Sequence, residues 1–127
     1  SKYQFGFGMV WAGFADLVKF YETSWIADWL VDLLGPYEEN IEKYKDRSPV
    51  NHFDELQSPL FIVHGTRDQR VPTETMTGFL DKLKSSDKVY RIHFVKGQGH
   101  TKGVAVDQIQ QYMDEAQFLR EYTSLTE

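Results

Sequence analysis

The sequence predicts an α/β fold of about three parallel strands with flanking helices. Three observations carry this. The runs Leu60–His64 (LFIVH) and Val89–Val95 (VYRIHFV) are short and rich in β-branched and aromatic residues, as strands are. Between them Met76, Phe79, Leu80 and Leu83 fall on one helical face. A third apolar run, Phe5–Trp11 (FGFGMVW), precedes further helical segments. The order is therefore β, helices, β, α, β, α, and strands alternating with helices join in parallel through crossovers.

Taken in order, Phe5–Trp11 reads as a buried strand in which Gly6 and Gly8 weaken the pattern or mark close backbone approach. Ala12–Thr23 reads as a transition region. Trp25, Ile26, Trp29, Leu30, Leu33 and Leu34 share one helical face, and Gly35-Pro36 is a helix stop. A weaker helix spans Glu38–Lys45 and is broken at Ser48-Pro49, because the residue before proline disfavours helix. Leu60–His64 lacks polar alternation, which suggests burial on both faces. A helix over Thr73–Lys84 and the Val89–Val95 strand follow. Asp107 and Gln110 suggest a capping box for a final helix, whose apolar stripe is Ile109, Tyr112, Met113, Ala116 and Leu119. No repeat, low-complexity tract or long linker divides residues 1–127, which are expected to form one unit.

Composition narrows the function classes. A chain of 127 residues suits one domain that buries roughly two thirds of its unfolded surface. Net charge is −5 with no basic stripe, which disfavours nucleic-acid binding. There is no cysteine, so disulfide and thiolate chemistry are excluded, and a reducing compartment such as the cytoplasm fits better than secretion. No apolar run reaches membrane-spanning length, the N-terminus lacks a signal-peptide pattern, and no membrane partner is expected. The chain starts at Ser1 rather than a methionine, which reads as a fragment boundary.

The chemistry gathers at two strand ends. Asp68 follows His64, the end of the second strand, and His100 follows Val95, the end of the third, in the run Lys96-Gly97-Gln98-Gly99-His100. In open parallel sheets functional side chains collect beyond the carboxyl ends of the strands, and adjacent parallel strands would bring these loops together. An aspartate accepting from a histidine ring fixes its tautomer and primes the other nitrogen to take a serine proton. Glycines beside His100 allow a tight turn that leaves the ring exposed.

A metal set of His64, Asp68, His93 and His100 suits Zn or Fe by ligand type but follows no known spacing, so no metal and no cofactor are expected. His64 is expected to satisfy backbone groups near the site, and His93 to be structural; His52 has no supporting pattern. Trp25 and Trp29 favour packing over a substrate platform. Arg67 and Arg70 flank the acid as solvated side chains, one of which could tune Asp68 or meet a substrate carboxylate. None of Ser24, Ser48, Ser58, Ser85, Ser86 and Ser124 sits in a strand–turn–helix context, and Gly-x-Ser-x-Gly occurs nowhere.

The stretch Ser48–His100 resembles the C-terminal part of the catalytic domain of prolyl oligopeptidase-type (S9) serine peptidases, which are α/β-hydrolases. The resembling pieces are Ser48-Pro49, Pro59-Leu60-Phe61-Ile62-Val63-His64-Gly65, Asp68 with Val71-Pro72, and Gly97-Gln98-Gly99-His100; Val10–Asp16 and Phe20-Tyr21 resemble the strand and loop after the nucleophile's helix. Thr101-Lys102 departs from the pattern, which usually has an apolar or aromatic residue after the base. The resemblance implies the C-terminal half of an α/β-hydrolase fold, with Asp68 as triad acid and His100 as base. It implies that the serine and oxyanion hole precede Ser1, and that Phe20 and Tyr21 lie near the substrate pocket. The expected function is peptide-bond hydrolysis by the parent enzyme, the isolated chain being inactive. A carboxylesterase or dienelactone-hydrolase-like fragment, or a non-catalytic half-hydrolase module for binding or assembly, are the alternatives. The expected partners are a peptide substrate and the upstream half of the domain, or a second copy meeting the Phe5–Trp11 edge.

Overall fold

A computed structural model describes residues 5–101 and 105–123. Three strands form one parallel sheet in the order β1 (Gly8–Trp11), β2 (Leu60–Gly65), β3 (Tyr90–Val95). Five helices flank it: α1 (Leu17–Thr23), α2 (Asp28–Leu34), α3 (Tyr37–Asp46), α4 (Glu74–Lys84) and α5 (Ala105–Thr123). A 3₁₀ turn over Pro49–Glu55, which the sequence did not suggest, links α3 to β2.

The central strand is β2, and all six of its residues are buried, as the unbroken apolar run predicted. On one face Leu60 and Ile62 pack with Ala15, Val50, Phe53 and the α4 residues Met76, Phe79, Leu80 and Leu83. On the other, Phe61 and Val63 meet Val95 and Phe118 of α5. A third cluster lies away from the sheet and joins Leu17, Phe20, Leu30 and Tyr44 to Val71. Val71 belongs to the loop after β2, so this cluster connects the helical layer directly to the Asp68 loop.

Several elements differ from the sequence reading. The first strand starts at Gly8 rather than Phe5, because its ladder begins where β2 does: Gly8 pairs with Leu60 and its N–H donates to the Pro59 carbonyl. Before that point Ser58 Oγ takes up the Phe5 carbonyl. Residues 17–23 are a helix and not a transition. Asp16 caps it, its Oδ1 accepting from the N–H groups of Val18 and Lys19 at 2.9 and 3.0 Å, as an N-cap aspartate does. Buried Ser48 supports the same helix, accepting from Leu17 N–H at 2.9 Å while donating to the Tyr44 carbonyl at 2.7 Å.

The second helix starts only at Asp28, and of its apolar face Leu30 alone is fully buried; Trp25, Trp29 and Leu33 are exposed. Gly35, at φ 90°, ends it in the left-handed region, where a glycine carries no Cβ penalty. The weaker helix spans Tyr37–Asp46, one residue longer at each end than expected.

The last helix differs most. Asp107 lies inside α5 rather than at its N-cap. The expected stripe also faces outward: Ile109, Tyr112 and Met113 are exposed, while Gln111, Glu115 and Phe118 are buried. Phe118 is the side chain that fits against Phe61, with ring centroids 5.4 Å apart. Gln111 and Glu115 can accompany it because the amide donates to the carboxylate at 2.7 Å, and a buried polar group so paired escapes most of its desolvation cost.

Candidate active site

The site is built at the carboxyl end of β2. Its last residue, Gly65, is pressed against the loop after β3: a Cβ placed there would lie 2.5 Å from the Gln98 carbonyl oxygen and 2.6 Å from that of Gly99. Only a residue without a side chain allows this approach. Hydrogen bonds then join the two loops. Thr66 N–H donates to Val95 O at 3.1 Å, and Arg67 N–H donates to Gln98 O at 2.8 Å. Thr66 Oγ1 accepts from Gly97 N–H at 2.8 Å, and Gly97 turns at φ 76°.

This stitching places Asp68 against His100. The ring Nδ1–H donates to Asp68 Oδ2 at 2.8 Å. The second carboxylate oxygen, Oδ1, accepts from the N–H groups of Arg70 and Val71 at 3.0 and 2.9 Å. The Asp68 side chain is wholly buried and that of His100 is 35% exposed. A buried carboxylate is tolerable because three donors replace the water it has lost. A donor at Nδ1 leaves Nε2 as the nitrogen with a free lone pair, on a side chain that is partly open to solvent.

Beside the acid loop is an open cleft of about 690 Å³, lined by Thr23, Trp25, Thr66, Arg67, Asp68 and Glu74 among others. Trp25, expected to pack, instead borders this cleft, held there by its N–H to Gln69 O at 3.1 Å. No sequence pattern marks it, since its place depends on the loop after β2, which holds Trp25 through Gln69, 44 positions downstream, and neighbouring Ser24 through the Arg70 carbonyl, 46 positions downstream. Phe20 does not reach the cleft: it is fully buried, packed on Phe14 at 4.9 Å. Tyr21 stacks on Tyr37 at 4.4 Å. Both pack in the cluster that holds Val71, the residue whose N–H donates to Asp68.

The other histidines have distinct settings. His64 Nε2–H donates to Val71 O at 2.8 Å, the backbone contact expected of it. His93 Nδ1 pairs with Asp114 Oδ2 at 3.0 Å, and next to it Arg91 pairs with Glu121, so both ties fasten α5 to β3. Bonding from Arg91, assisted by Gln117, holds the Glu121 carboxyl below its ordinary range. His52 bonds to the Asp46 carbonyl and to Glu55. Among the described residues no group of three or more acidic or histidine side chains could hold a metal ion, and no helix is long and apolar enough to cross a membrane.

A parallel sheet with an aspartate and a histidine joined beyond neighbouring strand ends defines the C-terminal half of an α/β-hydrolase fold. The sequence matches the profile of peptidase S9, the prolyl oligopeptidase family, over residues 2–126, and the chain belongs to that family. It is 38% identical over 53 residues to the probable carboxylic ester hydrolase LipM of Mycobacterium tuberculosis, covering 42% of this chain and 12% of that protein. It is 40% identical over 50 residues to the uncharacterized peptidase YuxL of Bacillus subtilis, covering 39% of this chain and 8% of that one. Acylaminoacyl peptidase of Pyrococcus horikoshii has the same fold at a TM-score of 0.84 and 23% identity, over 93% of this chain and 20% of that one. Dipeptidyl peptidase 4 of Porphyromonas gingivalis gives 0.80 and 21%, over 93% and 16%. The chain thus spans a fifth or less of each of these relatives.

Proposed function

We propose that this chain supplies the acid and the base of a Ser-Asp-His triad for peptide-bond hydrolysis, the serine coming from polypeptide outside these 127 residues. The 2.8 Å bond from His100 Nδ1 to the buried Asp68 carboxylate is the observation that carries the reading. Asp68 orients the ring and stabilises the imidazolium. Nε2 of His100 takes the serine proton as the hydroxyl attacks the carbonyl, then returns it to the leaving amine.

In this reading the serine-bearing segment joins the sheet at β1. β1 pairs on one side only among the described residues; its Met9 and Trp11 are exposed, and Trp11 stacks on exposed Tyr112 of α5. Such an edge favours an added strand. A fluorophosphonate probe, which reacts with activated serines, is expected to leave the purified chain unlabelled. Strong labelling at a single serine would overturn the proposal.

A second reading, ester hydrolysis, is favoured by the likeness to the ester hydrolase LipM. The same acid and base serve both reactions, so a comparison of ester and peptide-amide turnover by the complete protein separates them.

A further inference from the structure

We infer that His64 is a positioning residue, holding the acid's loop in the register at which Asp68 meets His100. Among the described residues its hydrogen bond goes to Val71 and not to either of those side chains. Its ring is 1% exposed at the next-to-last residue of β2. Its Nε2–H donates to the Val71 carbonyl oxygen at 2.8 Å, across seven positions of chain. The N–H of that same Val71 donates to Asp68 Oδ1 at 2.9 Å. Val71 is therefore held at both of its backbone polar groups, by the strand end on one side and by the acid on the other. Its side chain is buried among Leu17, Phe20, Leu30 and Tyr44, so the loop is anchored by packing as well.

The chemistry of the imidazole supports this assignment. His64 follows Leu60 and Ile62 on one face of β2, where an apolar side chain would be cheaper to bury. Nδ1 of His64 is buried and finds no partner among the described residues, and an unsatisfied buried acceptor destabilises a fold. Among the described residues the imidazole makes one hydrogen bond, the one to Val71. Through it the rigid central strand fixes the far end of the 65–71 loop, while Gly65 fixes the near end. Asp68 lies between, and its carboxylate then has a defined height above the sheet.

The functional meaning rests on the acid–base reading of Asp68 and His100, but the experiment reads geometry alone. The Nδ1–H proton of His100 is followed by NMR in the 127-residue chain and in His64→Leu and His64→Gln. Glutamine carries an amide N–H as many bonds from the backbone as Nε2, whereas leucine fills space without a donor. At a temperature where circular dichroism shows every variant folded, the His100 proton is expected to exchange at least about fivefold faster in His64→Leu, the opening expected from one lost hydrogen bond, and at near the original rate in His64→Gln. An unchanged rate in His64→Leu would overturn the inference. Should that variant not fold, the unsubstituted chain still decides: His64 must carry a protected proton on Nε2, and a proton on Nδ1 instead would overturn it. Failure of the triad reading would appear as serine-probe labelling of the chain, which leaves these NMR results untouched.

Discussion

Asp68→Asn is expected to lower kcat of the complete enzyme by roughly 10⁴-fold, the loss seen when a triad aspartate becomes its amide in other serine enzymes, with KM little changed. The geometry says why so small a change has so large an effect. Two backbone N–H groups, from Arg70 and Val71, converge on Oδ1. These donors can bond only to an acceptor oxygen, so an asparagine must turn its carbonyl to them and its NH₂ to His100 Nδ1. The ring then carries its proton on Nε2, the atom that must be bare to receive the serine proton. Binding surfaces are untouched, which keeps the effect in kcat. Steady-state kinetics with a peptide substrate checks this; a loss of less than tenfold would mean that Asp68 is not the acid.

Gly65→Ala is expected to act on stability and on the site together. The added methyl carbon would overlap two carbonyl oxygens at 2.5 and 2.6 Å, and both belong to backbone rather than to a side chain that could swing aside. Overpacking of this kind costs about 1–3 kcal/mol and occasionally more, a large share of the roughly 5–15 kcal/mol that stabilises a typical domain. Relief comes only by moving the loop after β3 away from β2, which carries His100 away from Asp68. A displacement near 1 Å costs about 100-fold in rate. Urea unfolding of the chain and turnover by the complete enzyme should therefore both fall. An alanine variant of normal stability would show that the loops are not in contact at Gly65.

Much of this was legible in the sequence, and the reasons are local. Burial on both faces left β2 as an unbroken apolar run, and the 3.6 periodicity of Met76, Phe79, Leu80 and Leu83 marked α4 nearly to the residue. The proximity of Asp68 and His100 followed from parallel order alone. What stayed hidden depends on partners distant in sequence. The first helix has few apolar repeats in seven residues, and its Asp16 cap was the overlooked signal. For α5 the apolar stripe was real, but the helix turns Phe118 to the sheet and leaves Ile109, Tyr112 and Met113 outward. Periodicity identifies an apolar face; it does not say which neighbour covers it. Phe20 and Tyr21 were placed near a pocket only through the resemblance; in this chain Phe20 is buried in the core and Tyr21 stacks on Tyr37.

Complementation tests the central claim most directly. The chain is mixed with a segment of its parent polypeptide carrying a Gly-x-Ser-x-Gly elbow, and peptide hydrolysis is measured. The account predicts turnover from the mixture, none from either part alone, and a loss of roughly 10⁴-fold when the chain carries Asp68→Asn. Hydrolysis by this chain alone, or full turnover by the mixture containing Asp68→Asn, would contradict it.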